Sequence, residues 1–250
     1  MTQLARRILA IALLLAMVGA CTSRAGAADS LDQQRSLASA LSSLNSHGVA
    51  FTISSTVTET KGQNSAQLTL SGTGLLKNDI VHMNLTETSA QGHGPVESVM
   101  IGDQILNRTS PSEPWSGNYL IPTWVPSARI GLAREAVLLT PRLGSSVFTH
   151  VSGGFVDKHQ VPLAPAQLEE FSGMLVAGSS ETDFLRTASG EVDVFTAWRS
   201  DKVLRVEVRF SYVDPGANNA RLNVDSFIDV SSATVKSVPI PKDLPIQPTS

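Results

Sequence analysis

Cys21 stands apart among the reactive residues of this chain: it is the single cysteine in 250 residues, and the small residues Gly19 and Ala20 precede it. A thiol in so uncrowded a setting is open both to alkylation and to cleavage of the bond before it. The other residues that could do chemistry are scattered. His47, His82, His93, His150 and His159 fall in five separate segments, and none has the H-E-x-x-H spacing that sets two metal ligands on one helical face. No G-x-S-x-G turn is present to raise a nucleophilic serine, and Ser152-Gly153 or Ser172-Gly173 alone does not make one. Glu169 and Glu170 are adjacent, but neighbouring helical residues point about 100° apart, so the pair reads as a solvated face rather than an acid–base couple. The residue pattern calls for no catalytic group, no metal and no cofactor, and the chain reads as a protein that is not an enzyme.

The surroundings of Cys21 say what its thiol is for. Arg6 and Arg7 precede an unbroken apolar run over residues 8–18, the charged and apolar regions of an export signal. The run is shorter than the roughly 20 residues that span a bilayer core. It ends at Val18-Gly19-Ala20-Cys21, which resembles the bacterial lipobox. That resemblance implies removal of residues 1–20, diacylglycerol on the Cys21 thiol, and attachment to the extracytoplasmic face of the cell membrane within the cell envelope. The alternative, an ordinary secretory signal with a cysteine nearby, does not explain why the one cysteine falls at the one position lipidation uses. Each buried methylene adds about 0.8 kcal/mol, so two or three acyl chains make a lasting anchor.

Loss of residues 1–20 removes two arginines and no acids, which leaves 17 basic and 22 acidic residues. A mildly negative surface does not fit nucleic-acid binding. An exported domain without disulfides must be held by burial, and about 220 residues suffice for one domain with a sizeable core.

Spacing then sets the elements that position everything else. Asp29 and Ser30 can cap a helix whose apolar side is Leu37, Leu41 and Leu44, closed by Gly48. From Val49 the period changes to two, the signature of half-buried strands. Val49, Phe51, Ile53 and Val57 alternate with polar residues, Glu59 to Ser65 reads as a turn, and Ala66, Leu68, Leu70, Gly72 and Gly74 form the returning phase. Val81, Met83 and Leu85 make a third strand, and Gly102-Asp103 joins a fourth (96–101) to a fifth (104–107). A Pro-rich loop with Trp115 and Trp124 follows, then a helix from Ser127 to Thr140, short strands over 147–151 and 155–161, and a second central helix opened by Pro165 and stopped at Gly178. Pro162 marks the strand before that helix as short. Val192 to Trp198, Leu204 to Phe210 and Leu222 to Val230 close the pattern as strands, with turns at Arg199 to Lys202 and Asp214 to Asn219.

A large antiparallel sheet with one apolar face needs a second layer, and only about three helices are available to supply it. Two outcomes stay open. The helices fill the space as plain core, or a curved sheet leaves an apolar cavity beneath them, with Gly72 and Gly74 thinning the wall where it bends. In the second case the lining is the apolar strand phase: Phe51, Ile53, Val57, Leu68, Leu70, Met83, Leu85, Val194, Val206, Val208, Leu222 and Val224. Such a cavity works by partition, at about 25 cal/mol per Å² of apolar surface buried.

The order of elements from the lipobox onward, with Ser98-Val99-Met100-Ile101-Gly102-Asp103-Gln104-Ile105-Leu106-Asn107 leading to Trp115 and Trp198-Arg199-Ser200-Asp201-Lys202-Val203-Leu204-Arg205-Val206-Glu207-Val208 late in the chain, resembles the mycobacterial LppX/LprG group of lipoproteins, relatives of the LolA/LolB lipoprotein carriers. The resemblance covers nearly the whole mature chain and rests on hairpin spacing rather than a catalytic signature. It implies an α+β fold, a strongly curved antiparallel half-barrel covered by a few helices around an apolar cavity, with lipid or lipoglycan as ligand. An envelope transporter or a membrane would then take up the released cargo. The organisation expected is a signal over 1–20, the lipidated cysteine and tether over 21–29, a carrier domain over 30–238 and a Pro-rich tail over 239–250. The competing reading is an envelope interaction or chaperone module with a filled core.

Overall fold

The first expected helix is α1, Ala27–His47. Leu37, Leu41 and Leu44 fall on its buried side, as their spacing requires. It starts two residues before the expected cap, so Asp29 and Ser30 lie inside its first turn. Gly48 follows with φ +79°, a left-handed turn that glycine adopts without steric penalty. A Cβ there would also lie 2.7 Å from the Val235 carbonyl oxygen.

The computed structural model describes residues 27–102, 104–117, 126–141, 143–144, 146–151, 154–172, 186–214 and 219–245. The signal segment, Cys21, Asp103, Trp124 and Gly178 lie outside them. After α1 come five strands, β1 (Val49–Lys61), β2 (Asn64–Lys77), β3 (Ile80–Ser89), β4 (Gly92–Ile101) and β5 (Gln104–Arg108). Helix α2 (Pro126–Leu139) is followed by β6 (Val147–Val151), β7 (Gly154–Leu163) and α3 (Pro165–Ser172), and then by β8 (Ser189–Ala197), β9 (Val203–Asp214) and β10 (Ala220–Thr234).

All ten strands form one antiparallel sheet in the order β5-β4-β3-β2-β1-β10-β9-β8-β7-β6. The chain thus makes one meander outward from β1 and a second inward to β10, and the two are sewn together where β1 pairs β10. The sheet is not closed, since β5 and β6 remain as edges. It is a half-barrel, with α1 and α2 packed together on its inner face.

Several strands run longer than the sequence expectation, and at two of them the difference has a plain physical cause. The turn expected over 59–65 is only Gly62-Gln63, because β1 and β2 continue as a ladder to the pair Lys61–Asn64. Both faces of that hairpin tip meet water, so its residues are polar throughout and the alternation that marks a half-buried strand disappears. The strand before α3 is long rather than short and contains Pro162, which pairs with Glu191 of β8. Proline is tolerated because β6 ends opposite Lys158, which leaves β7 as the sheet edge at Pro162, where the missing N–H has no strand to serve.

The bend of the sheet is visible at glycine. A Cβ on Gly72 would sit on the Asn84 carbonyl oxygen and 2.9 Å from the Leu85 Cα, and a Cβ on Gly190 of β8 would lie 2.7 Å from both the Arg209 carbonyl oxygen and the Phe210 Cβ. The neighbouring strands curl over the inner face at these points, one on each side of the seam.

The tail does not float. Leu244 is buried with Val99 and Leu106, and Ile240 and Trp115 pack on the same cluster. Trp115 is therefore a packing residue, with the Arg108 guanidinium 4.3 Å from its ring centroid.

Candidate functional site

The inner face is built in rows, because antiparallel register sets side chains of one parity side by side across strands. One row runs Val96–Leu85–Gly72–Ile53–Ile228–Val206–Val194–His159 from β4 to β7. Nearer the β1–α1 end, Met83, Gly74 and Phe51 form a second. Toward the β1–β2 hairpin, Leu70–Ser55–Ser226–Val208 and then Leu68–Val57–Val224–Phe210–Gly190–Leu163 form two more, with Leu222 one step beyond. All twelve residues expected to line a cavity therefore share this one face.

Their burial is uneven. Phe51, Ile53, Leu70, Met83, Leu85, Val194, Val206, Val208 and Val224 are buried, and they form one cluster with Leu37 and Leu41 of α1 and Ile130, Ala133 and Val137 of α2. Over that stretch the helices fill the half-barrel with side chains. Val57, Leu68 and Leu222 are only partly buried, so the apolar face comes open toward the β1–β2 hairpin. Row by row, the wall changes from packed core to accessible apolar surface.

A groove with a mainly apolar wall lies on the β7 side of the sheet. It has a volume of about 600 Å³ and lies between the C-terminal turn of α2 (Ala136, Leu139) with Pro141 just after it, the end of β7 (Pro162, Leu163) and the start of α3 (Ala166). Leu163 is the β7 end of the row whose β1 and β2 members are Val57 and Leu68, and the buried Phe210 and Val224 stand between the two ends. Its size falls within the roughly 300–1,000 Å³ of small-molecule sites. The C-terminal turn of α2 is held in place by Gln34 of α1, whose amide donates to the carbonyls of Val137 at 2.5 Å and Thr140 at 2.9 Å. Those carbonyls have no partner within the helix.

Polar groups interrupt the wall between the packed and open parts. Ser55 and Ser226 are direct cross-strand partners, both buried. The Ser226 hydroxyl donates to the Ser54 carbonyl at 3.3 Å, whereas the Ser55 hydroxyl has no hydrogen-bond partner among the described residues. Arg129 of α2 is fully buried above them, its Nη1 donating to the Phe227 carbonyl at 3.4 Å. Burial pushes its guanidinium down to about 9, so it stays charged at neutral pH. These three were not among the expected lining residues. The signal was present: the apolar phases of β1 and β10 break at serines that face each other, and Arg129 lies four residues before the inward-facing Ala133.

No family model matches the chain, and no curated protein matches it. Among solved structures, LprF from Mycobacterium bovis is similar over 86% of this chain and 98% of its own, at 10% identity and a TM-score of 0.43. A LolA superfamily protein from Nitrosomonas europaea is similar over 82% and 94%, at 9% identity and a TM-score of 0.28. A DUF1329 family protein from Desulfovibrio piger is similar over 82% and 94%, at 7% identity and a TM-score of 0.30. The superpositions are loose, and the half-barrel assignment rests on the sheet's own pairings.

The outer face has a different character. One groove of about 520 Å³ is lined by Thr56, Thr58, Glu191, Arg209, Asn223 and Asp225, where Arg209 joins Glu191 at 2.5 Å and Glu207 at 3.2 Å and also meets Asp193. On the outer side of β3 and β4, burial pushes the Glu97 carboxyl up. The hydrogen bonds from Arg108 at 2.6 Å and His82 at 2.9 Å outweigh it and hold the group below its ordinary value. Arg108 also reaches Asp243 at 2.7 Å and so ties the tail down. Among the described residues no set of three His, Cys, Asp or Glu side chains gathers as metal ligands, and no helix is long and apolar enough to cross a membrane.

Proposed function

We propose that this protein is a lipid-anchored carrier of the cell envelope, which holds lipids or other acylated molecules against the inner face of its half-barrel and needs no catalytic step to do so. The observation that carries the reading is a half-barrel wall that is apolar across its strands, with an about 600 Å³ groove at Leu139, Leu163 and Ala166 on one side and the partly open Leu68, Val57 and Leu222 on the other. An acyl chain laid in that groove or on that open stretch leaves water at about 25 cal/mol per Å². It would be released to a membrane or a transporter that offers comparable burial. In this reading the exported protein is tethered through diacylglycerol on Cys21.

One observation favours the competing reading, an interaction module with a filled interior: nine of the twelve wall residues are already covered by side chains of α1 and α2. Organic extraction of the purified protein followed by mass spectrometry separates the two. Carriage predicts near-stoichiometric lipid in the extract, and a loss of tenfold or more in the Leu139→Glu, Ala166→Glu double variant. These side chains face the groove, so the variant should keep its fold by circular dichroism. A clean extract from the wild type, together with failure to take up a fluorescent fatty acid, would favour the filled module.

A further inference from the structure

Three large aromatic side chains stand exposed together at one corner of the sheet. Phe148 of β6 and Phe155 of β7 stack with ring centroids 5.0 Å apart, and Trp198, in the turn after β8, meets Phe148 edge-on at 5.9 Å. The Phe148, Phe155 and Trp198 side chains are 54%, 59% and 50% exposed. These values mark a surface built to be wetted or covered, not core that has leaked out. The Arg199 guanidinium lies 4.4 Å from the Trp198 ring centroid, and exposed Lys202 lies in the same turn. The two nearest carboxylates are engaged in holding that turn: Asp157 accepts from the Arg199 backbone N–H at 3.1 Å, and Asp201 accepts from Ser36 of α1 at 2.6 Å.

We infer that this aromatic corner docks on the membrane surface, with Trp198, Phe148 and Phe155 at the interfacial level and Arg199 and Lys202 toward anionic headgroups. Aromatic side chains with an apolar body favour the bilayer interface, and basic residues beside them gain from negative lipid. The position of the tether picks the membrane over other partners, and to that extent the inference rests on the proposed acylation of Cys21. The Ser36–Asp201 bond fixes the N-terminal half of α1 beside the aromatic turn, while Asn45 near its other end bonds Asp79 at the start of β3 at 2.7 Å. From Ser36 back to Ala27 is about 13 Å of helix, and six further residues reach at most about 20 Å. A lipid on Cys21 is therefore within reach of a bilayer that meets the aromatic side of the molecule.

The test uses the full acylated protein in mixed phosphatidylcholine–phosphatidylglycerol vesicles whose acyl chains carry bromine, a short-range quencher of tryptophan. Docking predicts that the wild type is quenched and that Trp198→Phe, which keeps Trp115 and Trp124, loses most of that quenching. Phe148→Ser with Phe155→Ser should weaken it while leaving the circular dichroism spectrum unchanged, since both side chains are more exposed than buried. Equal quenching of wild type and Trp198→Phe would overturn the inference, as would Trp198 shielded by a second copy of the chain in a sedimentation-detected dimer. Intact mass reports separately on Cys21. If the cysteine carries no lipid, the tether reading fails, and docking is then decided by co-sedimentation of the wild type and the Phe148→Ser, Phe155→Ser, Trp198→Ser triple variant with the same vesicles: equal binding overturns it, and a loss in the variant supports it.

Discussion

His159 shows how one side chain can link the wall to pH. It ends a row of apolar residues, buried beside Val194, and its Nε2 lies 3.4 Å from the Thr196 hydroxyl. Burial disfavours the imidazolium and lowers the group below its ordinary 6.5, although Asp157 and Asp201 pull the other way. The folded protein therefore binds this proton less readily than the unfolded chain does. The resulting stability is complete above about pH 6.5 and is lost as pH falls from there toward the folded value. Glu97 is also held below its ordinary value, so its contribution persists above about pH 4.5 and is lost only below that. The two windows do not coincide. Thermal midpoints taken at about pH 7 and about pH 5 should drop for the wild type and drop less for His159→Leu, while further acidification should destabilise both. An undiminished fall in the variant across the upper window would place the acid sensitivity elsewhere.

At the level of elements, curvature is the property that single residues control. Gly72→Ala places a methyl group where the β3 backbone already is, and backbone cannot swing aside as a flexible side chain can. Overpacking of this kind costs about 1–3 kcal/mol, whereas Gly94→Ala, with nothing within 4 Å of its Cβ, should stay within about 0.5 kcal/mol of wild type. Denaturant titration of the two variants measures the difference, and equal stability would mean that the sheet does not bend at β2 and β3 as described. This bend was legible in sequence, because Gly72 and Gly74 interrupt an apolar phase at adjacent inward positions. So was the parity of all twelve wall residues, since alternation reports which way a side chain points. What alternation cannot report is what lies opposite. Whether Ile53 meets α2 or a cargo molecule depends on how deeply α2 sits, and that follows from packing between segments more than seventy positions apart in the sequence. The buried Arg129 escaped for a related reason: a charged residue on an amphipathic helix is ordinarily assigned to water.

The whole molecule is two meanders that meet at one seam, and the seam is the least local part of the fold. Ser226 bonds Ser54 across a separation of 172 residues, so β1 and β10 can pair only after most of the chain has been made. Once formed, β1 is bonded on both sides along nearly its full length. Strand β6, by contrast, is a five-residue edge with Val147 and Phe148 exposed. Amide exchange follows local opening, so β1 and β10 should be the slowest to exchange and β6 among the fastest when followed by mass spectrometry. Protection of β6 equal to that of β1 would mean that its open edge is covered by a strand from another molecule. The same measurement bears on carriage. The α2–α3 groove lies at the rim of the half-barrel, so loading with lipid should change exchange in α2 and α3 and leave the seam as it was. Loss of protection in β1 and β10 on loading would instead mean that cargo enters by parting the two meanders.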